Sequence, residues 1–177
     1  MTKKTFILFL AGLLLSGCGY STRSVSATMA HIKTIYVEPF QNSVDYGTEK
    51  GDKNIYVPMM ESKITDATIN RFINDGFLKI AKKEDADVIL EGKLLNYRRD
   101  ALRYDDNDNV LEYRITITVS LTLINTETHE PMWAEPSFGG DSTYLVTGSG
   151  SKSESVAIDD AVKDLAQRII ERTVEDW

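Results

Sequence analysis

The feature that most constrains the fold is the stretch Leu111–Ile124, which reads LEYRITITVSLTLI. Every second residue from Leu111 to Leu123 is apolar, and each residue between them is polar. This period of two is typical of a half-buried strand and fits no helix, because successive strand side chains point to opposite faces. The many β-branched residues favour the same interpretation. The sequence therefore predicts a long strand with one covered face and one open face rich in Thr and Ser.

A second predicted strand lies just before this one, so that the two form a long β-hairpin. The segment 87–104 leads into the acidic turn Asp105–Asn109, after which the chain returns along the long strand. A register that places apolar residues opposite each other pairs Leu94 with Leu121. Charged residues near the end of the first strand interrupt this pattern, which predicts a bulge or a tip that projects beyond the core.

The remaining elements follow from shorter patterns and stop signals. Gly76 is a candidate left-handed residue at the end of a helix, and Ser151 and Glu154 have capping-box spacing before another. Pro136 and the pair Gly139–Gly140 interrupt the last strand. The predicted elements are a strand at 32–37, a helix at 59–75, a short strand at 77–80, strand pieces at 132–135 and 144–146, and a helix at 154–174.

This order of elements predicts an α+β fold. Two helices packed on one face of a small mixed or antiparallel sheet make a two-layer sandwich with a long β-hairpin. The other face of the sheet then stays open, in agreement with the Thr/Ser side of the long strand. We expect one domain over residues 31–177, because this length suffices for a proper core.

The first residues have the pattern of a secretory signal. Lys3 and Lys4 precede the apolar segment Phe6–Leu15, and the small residues Ser16 and Gly17 follow. The apolar segment is too short for a stable membrane-spanning helix. We therefore expect residues 1–17 to be a signal peptide that is removed.

The residues around Cys18 resemble the bacterial lipoprotein signal, in the form Leu-Ser-Gly-Cys. This resemblance implies that the Cys18 thiol receives diacylglycerol and that its amine is acylated after cleavage, for example with palmitate. Several acyl chains on one residue give stable membrane attachment. An aspartate after the cysteine would favour retention in the inner membrane, so Gly19 implies the outer membrane. Residues 18–30 would be the lipidated tether. The alternative is a plain signal peptide with a chance cysteine.

Charge argues against nucleic acid as a partner. The chain has a net charge of −7, and removal of residues 1–17 takes away two positive charges and leaves −9. An acidic body repels the phosphate backbone. Cys18 is the lone cysteine, so the sequence allows no internal disulfide.

No catalytic, metal or cofactor site is predicted from the sequence. His31 and His129 lie in no recognisable motif, and we expect both to be exposed. The turn Asp105–Asn109 resembles the start of a calcium loop, but Val110 replaces its glycine and Thr116 its glutamate. An Asx-rich hairpin turn is the better interpretation. We therefore expect a protein that is not an enzyme and needs no cofactor.

Four arginines form the candidate ligand-binding set, namely Arg98, Arg99, Arg103 and Arg114. The predicted hairpin brings all of them toward one end. Guanidinium groups bind phosphate through two parallel hydrogen bonds, so the set is a candidate site for a phosphorylated ligand. The alternative is a group of ordinary surface ion pairs with the neighbouring carboxylates, which contribute little to stability.

Several motifs, taken in order, resemble one known family. After the lipoprotein signal come IKTIYVEPFQN at 32–42, RFINDGF at 71–77, ADVILEG at 86–92, the Thr-rich strand and DLAQRII at 164–170. Together these resemble the lipopolysaccharide-assembly lipoprotein family, LptE, over most of residues 18–177.

This resemblance implies a non-enzymatic outer-membrane lipoprotein. It would sit inside the β-barrel lipopolysaccharide translocon, LptD, as a plug and assembly factor, and could bind lipopolysaccharide. The first strand, which ends in Pro39–Phe40, also resembles other envelope lipoproteins. The alternative is therefore a secretion-pore subunit or an activator of a cell-wall synthase.

Overall fold

The computed structural model describes residues 31–44 and 57–174. The predicted signal peptide, Cys18 and the tether lie outside the described residues. The elements in chain order are β1 (Thr34–Val37), β2 (Gln41–Asn42), α1 (Met60–Asp75), β3 (Lys79–Ile80), a 3-10 turn (Lys83–Asp85), β4 (Val88–Tyr104), β5 (Val110–Asn125), β6 (Pro131–Leu145) and α2 (Glu154–Val174). Within this part of the chain, neither helix has the length and apolar character that crossing a membrane requires.

The strands form one mixed sheet in the order β3-β1-β4-β5-β6, and β2 adds to the β1 side of β4. Strand β1 runs parallel to β3 and β4, whereas β4, β5 and β6 are antiparallel. Helix α1 packs on β1 and β3, α2 packs on β5 and β6, and the two helices pack on each other. Both helices therefore cover the same face, which confirms the predicted α+β fold.

The core fills the space between the sheet and the helices. In β5 the buried residues are the alternating apolar ones that the sequence pattern identified, from Ile115 to Leu123. The helices contribute Met60, Ile64 and Phe72 from α1 and a broad apolar face of α2 around Leu165. The polar members of the alternation lie on the other face and are half-exposed, except Arg114, which is exposed.

Strand β6 is continuous, and the prediction of two separate pieces was wrong. It is an edge strand, so Pro136 can lack a backbone donor without breaking a bond to another strand. Pro136 and Ser137 both lie opposite Ser120 of β5, so β6 has an irregularity with one extra residue at this point. A Cβ added to Gly140 would lie 2.5 Å from the Leu165 Cβ, so glycine here allows α2 to approach the strand closely.

The hairpin register differs from the predicted one. Leu94 lies opposite Val119, and further along the hairpin Tyr97 lies opposite Ile117. The pairing shifts between Leu94 and Asn96 and again between Ala101 and Arg103, each time because β4 contains an extra residue. The predicted bulge is thus present as two bulges in β4, and each exchanges the faces to which the following side chains point. A third shift, between Arg103 and Tyr104, leaves Leu111 of β5 as the extra residue.

Both helices agree well with the sequence pattern. Helix α1 ends at Gly76, whose φ is 73° and whose N–H donates to the Phe72 carbonyl, as the glycine predicted. Helix α2 has the predicted bounds, but its cap is Ser153 and not Ser151. The Ser153 hydroxyl accepts a hydrogen bond of 3.4 Å from the Val156 N–H.

Candidate functional site

The alternation of β4 divides the four candidate arginines between the two faces of the sheet, and the first β4 bulge decides which face Arg98 and Arg99 each take. Tyr97 is buried on the helix side, so Arg98 lies on the open face and Arg99 on the helix side. After the second bulge, Arg103 lies opposite Glu112 on the open face, where Arg114 also lies. The structure therefore brings three of the four arginines together and places Arg99 on the other face.

The three arginines of the open face form what we call the arginine triad, namely Arg98, Arg103 and Arg114. The pairing register makes Arg114 a diagonal neighbour of both others, a separation of about 7–8 Å between backbones in a regular sheet. Arg98 binds Asp100 at 2.9 Å and Arg103 binds Glu112 at 3.3 Å. These pairs are exposed and contribute little to stability.

Arg114 differs from its two neighbours because it has no ion pair with any described residue. Asp100 lies directly opposite it across the hairpin, but that carboxylate binds Arg98. An exposed guanidinium with its hydrogen-bond donors uncommitted is available to an anionic ligand. The triad therefore has a net positive charge in a chain that is acidic as a whole.

Arg99 belongs to a partly buried cluster on the helix side. Its guanidinium forms an ion pair with Glu154, the first residue of α2, and lies 4.9 Å from the centre of the Tyr113 ring. Tyr113 in turn stacks on Tyr144 of β6, with ring centres 5.6 Å apart. The cluster ties the hairpin and β6 to the start of the last helix.

Tyr97 completes the attachment of the hairpin to α2. Its hydroxyl donates a 3.2 Å hydrogen bond to the Glu154 carboxylate. Burial, followed by the negative charge of Glu154, raises the pKa of the Tyr97 phenol well above its ordinary value, so the phenol stays protonated as a donor. Glu154 therefore positions two residues of β4, a role that the sequence pattern did not indicate.

Exposed apolar side chains lie at the distal end of the hairpin. Leu102 is 41% exposed, Tyr104 56% and Val146 43%, whereas most large apolar residues of the chain are buried. The Val146 N–H bonds to the Leu111 carbonyl, which places Val146 beside the second hairpin strand. We call these three residues the apolar rim. The sequence pattern does not indicate this rim, because its members follow a bulge or a strand end and show no period.

The acidic turn at the tip has the predicted Asx geometry. The Asp105 carboxylate accepts backbone hydrogen bonds from Asn107 and Asn109, both at 2.8 Å. A hydrogen bond from the Asn109 side-chain amide, followed by these two backbone hydrogen bonds, lowers the pKa of Asp105. His31 and His129 are both exposed, as expected. Across the described residues, no group of three His, Cys, Asp or Glu side chains is arranged to hold a metal ion.

Comparison with solved structures finds the same fold in proteins of low sequence identity. The chain is similar to protein XCC0632 from Xanthomonas campestris, with 12% identity, a TM-score of 0.52 and coverage of 81% of this chain and 82% of that one. It is also similar to CT253 from Chlamydia trachomatis, with 13% identity, a TM-score of 0.52 and coverage of 80% and 95%. At these identities the likeness shows the fold alone.

Comparison of sequences gives a family but no individual relative. No curated protein matches the chain. A family model described as LptE, lipopolysaccharide-assembly, matches residues 32–173. The match spans the described domain from two residues before β1 to the penultimate residue of α2.

Proposed function

The chain belongs to the LptE family of lipopolysaccharide-assembly proteins, and on this premise we propose that it is a plug and assembly factor of the β-barrel translocon LptD. One observation supports the proposal most. Both helices cover one face of the sheet, while no helix or strand of residues 31–44 and 57–174 covers the Thr- and Ser-bearing face of β5. A hydroxyl-rich open face suits a protein surface as a partner, because hydroxyl groups can donate and accept hydrogen bonds. The proposal contains no catalytic step.

The proposed attachment is to the outer membrane through lipid on Cys18. Residues 1–17 would be removed, residues 18–30 would span the distance from the lipid to the domain, and residues 31–177 would form that domain. Several acyl chains on Cys18 would make the attachment stable. The position of Gly19 supports the outer membrane as the destination.

Co-purification tests the partner and the anchor. We expect the tagged chain, extracted from outer membranes with mild detergent, to bring down one large barrel protein. The matched variant Cys18→Ser should leave the membrane fraction because it lacks the acylated thiol. A ring of identical copies, or a cell-wall synthase in place of the barrel, would contradict the plug role and favour the alternative envelope functions.

The proposed ligand is lipopolysaccharide, bound at the distal end of the hairpin. The arginine triad would hold phosphate groups through charge-assisted hydrogen bonds. The apolar rim at the same end of the hairpin would contact acyl chains, because exposed apolar side chains near cations suit a ligand that is both apolar and anionic. Arg99, which is paired with Glu154, would hold the hairpin in place and would not contact the ligand.

A triple substitution tests this ligand site. Changing Arg98, Arg103 and Arg114 to Gln should weaken lipopolysaccharide binding at least about tenfold, because several hydrogen bonds to charged groups are lost. Binding is measured with purified chain and lipopolysaccharide at constant ionic strength.

The matched control removes three exposed lysines around β1 and β3, namely Lys33, Lys79 and Lys82. It lowers the net charge equally and should leave binding almost unchanged. Equal loss in the two triple variants would show that only overall charge matters. Unchanged binding in the arginine variant would leave the triad as surface ion pairs.

A further inference from the structure

A second candidate site lies on the opposite side of the molecule, in the groove between α1 and α2. The groove is open to solvent and has a volume of about 600 Å³. Its lining includes charged and amide side chains from both helices above a floor of small apolar residues, Ala67, Val162 and Ala166. It lies on the helical layer, away from the open face of the sheet and from the arginine triad.

Arg71 is the unusual residue of this groove. Five of the seven described arginines form ion pairs with carboxylates, and Arg71 and Arg114 do not pair with any described residue. Arg114 is exposed, whereas Arg71 is half-buried and its Nε is shielded from solvent without a hydrogen-bond acceptor in the described part of the chain. A buried donor without an acceptor is costly, so Arg71 should gain more than Arg114 from an anion.

The rest of the groove adds donors near Arg71. Asn70 and Asn74 line it from the same helix and present side-chain amides. Of the two carboxylates in the groove, Asp159 is neutralised by Lys63 at 2.7 Å, and Asp66 is exposed. Lys163 adds a further cation, whose partner Asp160 at 3.9 Å is not among the lining residues, so the lining has a net charge of one positive unit.

We propose that this groove binds an oxyanion, a carboxylate or a phosphate group, with the Arg71 guanidinium as its main donor. The planar guanidinium matches two oxygens of such a group, and a turn of the side chain toward the groove would let one of these oxygens accept a hydrogen bond from the Nε–H. The Asn70 and Asn74 amides would donate to the remaining oxygens. This site is independent of the lipopolysaccharide proposal, because it uses other residues on another face.

A titration followed by NMR tests the site in the complete mature chain in detergent micelles. Sodium phosphate and sodium acetate are added in separate experiments, with sodium chloride adjusted to constant ionic strength. The reporters are the Nε–H of Arg71 and the side-chain amides of Asn70 and Asn74. We expect saturable shifts of all three, and the salt that causes them identifies phosphate or carboxylate as the preferred group.

Two matched variants locate the effect. Arg71→Gln should weaken binding, read from the two asparagine amides, at least about tenfold, whereas Lys79→Gln, at an exposed cation outside the groove, should leave it unchanged. The proposal is overturned if the Arg71 Nε–H of the unmodified chain moves no more than that of the ion-paired Arg168. This comparison needs no variant, so it remains decisive even if Arg71→Gln does not fold. Equal asparagine shifts with and without Arg71 would also overturn it.

Discussion

Single residues decide how the hairpin joins the rest of the molecule. Glu154 receives both the Arg99 guanidinium and the Tyr97 hydroxyl, so one carboxylate fixes two positions of β4. Because these groups are only partly exposed, their interaction is screened less by salt than that of the surface pairs in the arginine triad. Arg99 thus attaches the hairpin to α2 through Glu154, whereas Arg114 is exposed to solvent.

Asp87 has a comparable structural role at the start of β4. Its carboxylate accepts hydrogen bonds from the backbone N–H groups of Lys33 at 2.8 Å and Thr34 at 2.9 Å. Burial acts to raise the pKa of Asp87, but these hydrogen bonds outweigh it and lower the pKa. The ionised carboxylate therefore ties the beginning of β1 to β4.

We predict that Asp87→Asn lowers the free energy of unfolding by about 1 kcal/mol at pH 7, since hydrogen bonds to a charged acceptor are lost. A lowered folded-state pKa gives stability that is present above the unfolded value of about 3.9 and is lost as pH falls through the folded value. The difference between parent and variant should therefore shrink below about pH 4.

Chemical denaturation from pH 3 to pH 7 measures this difference. Asp85→Asn is the matched control, because Asp85 is exposed and its carboxylate accepts no hydrogen bond from a described residue. A difference that stays constant across the range would show that the charge of Asp87 is not responsible.

At the scale of elements, the contact between α2 and β6 depends on glycine. The backbone and Cβ of Leu165 would lie 2.5–2.6 Å from a Cβ at position 140, and only glycine admits the helix this close. The neighbouring Gly139 faces the other side, where the nearest atom to an added Cβ is the Ile117 carbonyl oxygen at 3.5 Å. Of these two adjacent glycines, Gly140 is therefore the one that the packing of another element requires.

We predict that Gly140→Ala lowers the free energy of unfolding by about 2–3 kcal/mol, because the clash is with helix backbone and cannot be relieved by a side-chain rotation. Gly139→Ala should change it by no more than about 0.5 kcal/mol. Thermal and denaturant unfolding of the two variants measure both values. Equal effects would mean that loss of glycine flexibility, and not the helix contact, sets the cost.

At the scale of the whole molecule, the sheet is unequally supported along its length. Strand β5 has β4 on one side and β6 on the other, from Glu112 to Ile124. On its other edge, β4 pairs with β1 and β2 only as far as Leu94, and no described strand pairs with the part from Asn96 to Tyr104. The distal hairpin is therefore a three-stranded extension with an open edge.

We predict a matching pattern of amide hydrogen exchange in the isolated protein. The amides of β5 should be the slowest, and alternate amides between Asn96 and Tyr104 should exchange fast because they point away from β5. Residue-resolved exchange measures this, with the amides of β4 before Leu94 as the internal control. Uniform protection from Asn96 to Tyr104 would show that another segment covers the edge.

The sequence by itself determined the elements whose signals are local. The alternation of β5, the apolar face and bounds of α2, and the stop at Gly76 depend on the nearest few residues, so their patterns predict them directly. The family resemblance depended on the order of such local motifs, and the family model confirmed it.

Only the tertiary structure decided what depends on residues far apart in the chain. The extra residue of β4 after Leu94 has no local signature, yet it sends Arg98 to the open face and Arg99 toward Glu154. Gly140 is explained by Leu165, which lies on another element. Strand pairing and helix docking bring together side chains that no short sequence window contains, so the membership of each site was fixed by packing and not by local pattern.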